Sequence, residues 1–478
     1  MCSQRIQKIS RSYDVVIVGG GIVGAGIFRD LALHGIKTLL IDARDFGSQT
    51  SSASSKMFHG GIRYMEGGHF ALVWEALHEK NFWLKNAPHL CYEQPFYMPV
   101  FKESKYPLWM LRMGLLSYDA LSTFKNSPSF TINAKETLKK IPELKKDGLQ
   151  GAGVYSDAIV DDCKLTLECL YDGLVNTDCE ILNYTELQDI VPQPNDYQLT
   201  IEDKLEGITR NVEAKDIIFA TGPFTDDLLS KFPFLKWKNC MLPSKGIHLW
   251  LKRDAIKIEN PMVLQTKDNR VVFVIPHHDS ILVGTTEKIV KKDFFDIKAD
   301  QDEIDYLLGI MNSYFPTHKI GHDAILSSYA GIRPLVREGN SENSTKTSRN
   351  HKVFTPADNI HVIVGGKLTT FRTMGQEISK KIVLGHNKSY SPDLTRAPLR
   401  KPSHYPPFAK KGPSKEIVLK IVKEERVRNF EDLVKRRLGF LTKAHWIGNE
   451  TFENFFLSIK EELAKSIKIT EEEIENFK

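Results

Sequence analysis

Asp14-Val-Val-Ile-Val-Gly-Gly-Gly-Ile-Val-Gly24 decides how this chain folds. Four apolar strand residues run straight into Gly19, Gly21 and Gly24 at G-x-G-x-x-G spacing. Gly19 permits a tight turn, Gly21 lets the backbone approach a pyrophosphate, and Gly24 lets helix pack on strand, while the helix N-terminus offers oriented N–H groups to an anion. The spacing predicts a helix over residues 22–34 closed by Gly35, then a second apolar strand over residues 37–41 that ends at Asp42. Asp42 stands 18 positions after Gly24, where a carboxylate can hold both ribose hydroxyls and repels a 2′-phosphate. The unit reads as a cradle for a dinucleotide, with NADP disfavoured.

Working outward, 478 residues are long for one core, and roughly 100–200 residues per domain suggests two or three. Hydrophobic content of 41% with 26% charged residues is ordinary for a globular protein. A net charge of +5 over this length is a small excess, so nucleic acid is not an expected partner. No apolar run of signal length precedes Tyr13, and no segment approaches the roughly 20 apolar residues that span a bilayer, so a cytoplasmic location is expected. The six cysteines, Cys2, Cys91, Cys163, Cys169, Cys179 and Cys240, show no C-x-x-C pair or zinc spacing and read as reduced structural thiols.

A polar segment, Gly47-Ser-Gln-Thr-Ser-Ser-Ala-Ser-Ser-Lys56, follows the first unit, and a helical run covers residues 70–86. Residues 197–201, 246–251, 271–276 and 281–286 are short, β-branched or aromatic runs between turns, which predicts a largely antiparallel sheet in a second, substrate-side domain. Asp216-Ile-Ile-Phe-Ala220 before Thr221-Gly222, and His361-Val-Ile-Val364 before Gly365-Gly366, return to buried parallel-type strands. The fold class is therefore α/β: a discontinuous Rossmann-type domain, an antiparallel-sheet substrate domain and a C-terminal helical cap. The expected boundaries are 13–90, 211–235 and 351–386 for the nucleotide domain, 91–210 for a mixed segment contributing to the substrate domain, and 236–350 for the antiparallel sheet. Residues 387–412 read as a linker and 413–478 as the cap.

Further motifs sharpen this reading: Thr50-Ser-Ser-Ala-Ser-Ser-Lys-Met-Phe-His-Gly-Gly-Ile-Arg-Tyr64, Tyr155-Ser-Asp157 with Asp161-Asp162, Lys245-Gly-Ile-His248, Arg270-Val-Val-Phe-Val-Ile-Pro276, Gly284-Thr-Thr286, Gly331-Ile-Arg-Pro334 and Gly365-Gly-Lys-Leu-Thr-Thr-Phe-Arg372. Over residues 13–385 the chain resembles the FAD-dependent glycerol-3-phosphate dehydrogenases of the aerobic, quinone-linked type, within the D-amino-acid-oxidase-like flavoproteins. The final hundred residues match loosely, with Phe430-Glu-Asp-Leu-Val-Lys-Arg-Arg437 the best fragment, in a portion shorter than that family's.

Oxidising a secondary alcohol needs a hydride acceptor, a base for the hydroxyl proton, and groups that fix the rest of the substrate. A single glycine fingerprint provides one dinucleotide site, which makes resident FAD the acceptor. The resemblance implies cofactor contacts from Gly19, Gly21, Gly24 and Asp42, from the loop residues Thr50, Ser51, Ser54, Ser55 and Lys56, from His59 and Gly60, and from the Thr221-Gly222 turn. It places Gly366, Lys367, Leu368 and Thr369 at a helix start beside the flavin pyrimidine, where positive potential stabilises an anionic reduced ring. His248 is the implied base. Arg333, Arg63, Arg349 and Tyr64 form the implied clamp on a phosphorylated substrate, because planar guanidinium groups meet phosphate oxygens bidentately. Asp157, Asp161 and Asp162 lack the glycine-centred calcium loop and read as caps and salt bridges, so no metal is expected.

The activity so implied is oxidation of sn-glycerol 3-phosphate to dihydroxyacetone phosphate, with quinone as the electron acceptor. A soluble oxidase that reduces oxygen to hydrogen peroxide is the alternative; an amino-acid oxidase and a flavin-holding scaffold are more distant ones. Quinone use implies peripheral contact with an anionic membrane on its cytoplasmic face. Pro107-Leu-Trp-Met-Leu-Arg-Met-Gly-Leu-Leu-Ser-Tyr118 and the basic run Lys435-Arg-Arg-Leu438 are the segments suited to such contact, the first suiting a core helix equally. A homodimer is compatible with the sequence, which specifies no oligomeric state.

Overall fold

The strand Ser12–Val18 is buried along both faces, with Val15, Val16 and Ile17 fully enclosed, as an unalternating apolar run in a parallel sheet requires. The structure is a computed structural model that describes residues 5–268, 270–291, 294–337 and 351–477. In it Ser12–Val18 pairs in parallel with Thr38–Ile41 on one side and Ile208–Phe219 on the other. Glu180–Leu182 and Ile360–Val364 extend the parallel sheet outward, and Lys352–Ala357 closes one edge antiparallel. The helix Ile22–Leu33 crosses between the first two strands and packs on Phe371–Gly385 and Asp162–Gly173. This is the doubly wound half of an α/β fold, and it places the Gly19 turn at the carboxyl ends of its strands, where such sheets bind ligands.

The second sheet is largely antiparallel and joins Met241–Lys252, Ile325–Val336, Ser280–Gly284, Val271–Pro276 and Met262–Gln265 to the long pair Cys91–Phe101 and Leu149–Val160. Alternation in Met241–Lys252 sorts its faces. Ile247, Leu249 and Leu251 pack under the helix Gln301–Tyr314, while His248 and Trp250 point to the other side. Residues 197–203 depart from the sequence expectation: the strand Tyr197–Asp203 forms a hairpin with Thr185–Pro192 and pairs with Ile208–Phe219, in the first sheet rather than the second. Its alternating burial suits either sheet, and the choice is made by the short turn into Ile208–Phe219.

The chain's end, from Lys415–Glu424 to Glu471–Glu475, is helical and encloses a core of its own around Phe430, Leu433, Phe452 and Phe456. Within it Asp432–Leu438 is wound as a π-helix and ends at Gly439 in the left-handed region. The described cysteines are unpaired thiols; Cys91, Cys163, Cys169 and Cys179 are buried, and burial pushes the Cys163 and Cys169 thiols up to about 12.

Candidate active site

A cavity of about 1290 Å³ lies between the two sheets. Its wall gathers Gly19, Gly21, Asp42, Thr50, Ser51, Ser54, Ser55, His59, Arg63, Tyr64, Thr221, Gly222, His248, Arg333, Gly366, Lys367, Leu368 and Thr369. Segments more than 300 positions apart in sequence therefore face one space. At the nucleotide end the Gly20 N–H donates to Asp42 Oδ2 at 2.7 Å, and the Ile22 N–H donates to Ser51 Oγ at 2.8 Å. Burial pushes the Asp42 carboxyl up to about 6, against the pull of backbone N–H groups from Arg44 and Gly20.

At the opposite end His248 is 3% exposed, stacked on Tyr329 with ring centroids 4.9 Å apart, and its Nε2 lies 2.8 Å from Ser55 Oγ. The other ring nitrogen, Nδ1, is buried without a hydrogen-bond partner among the described residues. Burial, then the charges of Arg333 and Lys56, push the imidazole down to about 3, so it is neutral at physiological pH. Arg333 sits on the paired strand opposite Ser244, and its guanidinium donates to Thr285 Oγ1 at 2.9 Å and to the Thr286 carbonyl at 3.2 Å. Both side chains lie across glycines: a Cβ on Gly284 would stand 2.1 Å from His248 Cδ2, and one on Gly246 would stand 2.5 Å from an Arg333 guanidinium nitrogen. Lys367 holds its ammonium 3.7 Å from the centroid of the Tyr64 ring, which brings together two residues that the sequence had assigned to the flavin side and to the substrate clamp.

The FAD dependent oxidoreductase family matches residues 14–379. This chain belongs to that family. The aerobic glycerol-3-phosphate dehydrogenase of Bacillus subtilis is 34% identical over 370 residues, which are 77% of this chain and 66% of that protein. The chain thus spans just under two thirds of that relative's length. The solved glycerol-3-phosphate dehydrogenase from Bacillus halodurans complexed with FAD superposes with a TM-score of 0.71 at 23% identity, over 97% of this chain and 92% of that one. The L-alpha-glycerophosphate oxidase from Mycoplasma pneumoniae with FAD bound gives 0.62 at 19% identity, over 81% and 98%. At those identities the two structures establish the fold.

The residues present fit FAD. A Cβ on Gly24 would stand 1.9 Å from the Gly19 carbonyl oxygen, so only glycine lets the helix start press this closely on the turn, and Gly19 itself adopts φ +110°. Gly21, Ile22 and Val23 then present a helix N-terminus to the cavity, suited to a diphosphate.

Several sequence-assigned residues take other places. Gly24 packs beneath the turn and does not line the cavity. Lys56 is turned away from the cavity and donates to Asp162 Oδ1 at 2.7 Å, while Ser54 Oγ donates to Asp162 Oδ2 at 2.7 Å. The serine-rich loop is thus organised around one buried carboxylate, a contact that no local pattern encodes. Gly60 also lies behind the wall; its N–H donates to Tyr118 Oη, which donates to Asp157 Oδ1 at 2.8 Å. Lys80, fully buried, stands 3.7 Å from the same Asp157 oxygen, so the turn carrying Arg63 and Tyr64 rests on a buried polar knot. Asp161 caps the helix Asp162–Gly173 through the Lys164 N–H. Arg349 falls outside the described residues. Sequence reasoning missed Tyr329 and Thr285 as site residues and assigned Ser55 to the cofactor alone; the register that sets His248 opposite Tyr329 and Gly284 is the missing information.

Proposed function

We propose that this chain catalyses FAD-dependent oxidation of sn-glycerol 3-phosphate to dihydroxyacetone phosphate and passes the electrons to a quinone. One observation carries the reading: a buried neutral imidazole, His248, and a fixed guanidinium, Arg333, enter from paired strands the same cavity that holds the nucleotide cradle. The name of the relative at 34% identity supports the same substrate.

Bound FAD supplies the two-electron acceptor. Arg333, held by Thr285 and Thr286, and Arg63, on the short turn Ile62–Met65, supply the charge that a phosphate monoester needs, and Tyr64 borders that space. His248 takes the hydroxyl proton, its ring fixed by Ser55 at Nε2 and by the stack on Tyr329. A dianion bound at Arg333 offsets the repulsion that Arg333 exerts on the imidazole, so substrate binding raises the affinity of His248 for a proton at the moment it is required. Lys367 sets a cation at the flavin side of the same space.

Quinone lies in a bilayer, and the helix Leu108–Leu121 has the form of a docking element. Leu111, Leu115 and Tyr118 pack inward while Trp109 and Met113, 67% and 58% exposed, stand outward with Met110 and Leu116. No described helix is long and apolar enough to cross a membrane. The run Lys435-Arg-Arg-Leu438 does not share this role: Arg436 and Arg437 point inward to Asp45, because a buried carboxylate offers them more than solvent does.

Initial rates test the reading. sn-Glycerol 3-phosphate should reduce a soluble quinone under nitrogen, with glycerol and glycine inactive; peroxide formed in step with substrate in air, and no quinone rate, would replace the acceptor with oxygen. Trp109→Ser with Met113→Ser should lose flotation with anionic vesicles while the soluble-quinone rate stays unchanged, and unchanged flotation would remove the helix from the docking role.

A further inference from the structure

The helical unit beyond the family match holds the nucleotide loop by its root. Between Asp42, at the cavity, and Gly47, whose N–H donates to the Gly20 carbonyl at 3.0 Å, the chain places Asp45 and Phe46. Phe46 is fully buried against the glycine turn; a Cβ on Gly20 would stand 2.5 Å from its ring. Asp45 points the other way, into the C-terminal unit. Its carboxylate accepts from Arg436 Nε at 2.6 Å, from both terminal nitrogens of Arg437, one at 2.9 Å, and from Asn183 Nδ2 at 2.8 Å. The side chains of Asp45 and Arg437 are 0% exposed and that of Arg436 is 11% exposed. Burial raises the Asp45 carboxyl, but Arg437 and Arg436 hold it well below the usual carboxylate range, so the group stays ionised.

Both arginines lie on the π-helical segment Asp432–Leu438, where the wider winding puts successive side chains on one buried carboxylate. Arg437 Nε also donates to the Glu425 carbonyl at 3.0 Å, and Tyr184 Oη donates to Asp432 at 2.7 Å, which ties the segment to its own unit and to the parallel sheet's edge. Neither arginine lines the cavity. A charged pair this deep contributes little net stability compared with an apolar replacement, whereas it fixes geometry.

We propose that Arg436 and Arg437 are positioning residues for FAD: through Asp45 they set the 42–47 loop, and the C-terminal unit thereby controls how tightly the adenosine half of the cofactor is held. The inference is independent of the substrate assigned above. Full-length protein carrying Arg437→Gln or Arg436→Gln is stripped of flavin and titrated with FAD, following the flavin fluorescence; thermal unfolding checks that each variant folds. Arg400→Gln is the control, since Arg400 pairs with Asp172 at 2.9 Å away from the loop. FAD affinity should fall at least tenfold for Arg437→Gln and at least threefold for Arg436→Gln, with Arg400→Gln unchanged. Where Arg437→Gln does not fold, Arg436, the less deeply buried of the two arginines, decides through Arg436→Gln. Folded variants that bind FAD within twofold of the parent, or an equal loss in Arg400→Gln, would overturn the proposal.

Discussion

At the scale of single residues, His248 reaches the cavity with its ring stacked on Tyr329. Ser55, which also lines the cavity, holds the ring with its Oγ 2.8 Å from Nε2. His248→Gln should lower turnover by about 100-fold or more, about 2.7 kcal/mol of barrier, while flavin stays bound. Rates in FAD-saturated protein check this, and full turnover would remove the residue from the chemistry. Ser55→Ala should lower turnover by about tenfold at unchanged FAD affinity, because the ring loses its orientation and not its presence. A loss of FAD binding with normal turnover in the loaded protein would instead return Ser55 to the cofactor contacts that the sequence assigned it.

At the scale of elements, the cap meets the substrate sheet through histidines. His445 packs edge-on to Trp250 at 5.4 Å, and His277 packs on the same indole at 4.9 Å. Burial pushes His277 down to about 4, against the opposing charge of Asp279, and lowers His445 as well. The folded value lies below the ordinary 6.5, so the unfolded chain takes up the proton first; stability is fully present above about 6.5 and falls as pH drops toward 4. The unfolding midpoint should therefore fall between pH 7 and pH 5 with a change in tryptophan fluorescence, and His277→Gln should flatten that fall. An acid response identical in the variant would place the sensitivity elsewhere. These contacts also mark where sequence reading ends. The first βαβ unit was legible because its apolar runs, glycines and Asp42 all act within about thirty positions. His248 beside Tyr329, the inward turn of Arg436 and Arg437, and the attachment of Tyr197–Asp203 to the first sheet depend on pairings between distant segments, and burial patterns along one strand do not specify a partner.

At the scale of the whole molecule, two sheets meet across one cavity: the parallel sheet brings a glycine turn and a helix N-terminus, and the antiparallel sheet brings an imidazole and a guanidinium. The imidazole and the guanidinium thus come from the sheet that does not carry the glycine turn, so on the function proposed above substrate preference can change without disturbing the cradle. Anaerobic addition of sn-glycerol 3-phosphate to the FAD-loaded protein, read at the flavin absorption bands, tests that arrangement most directly. Bleaching of the oxidised bands is expected at a rate that falls about 100-fold in His248→Gln and is absent with glycerol or glycine; bands that persist with sn-glycerol 3-phosphate, or bleach equally in the variant, would contradict the proposed roles of the cavity and of His248.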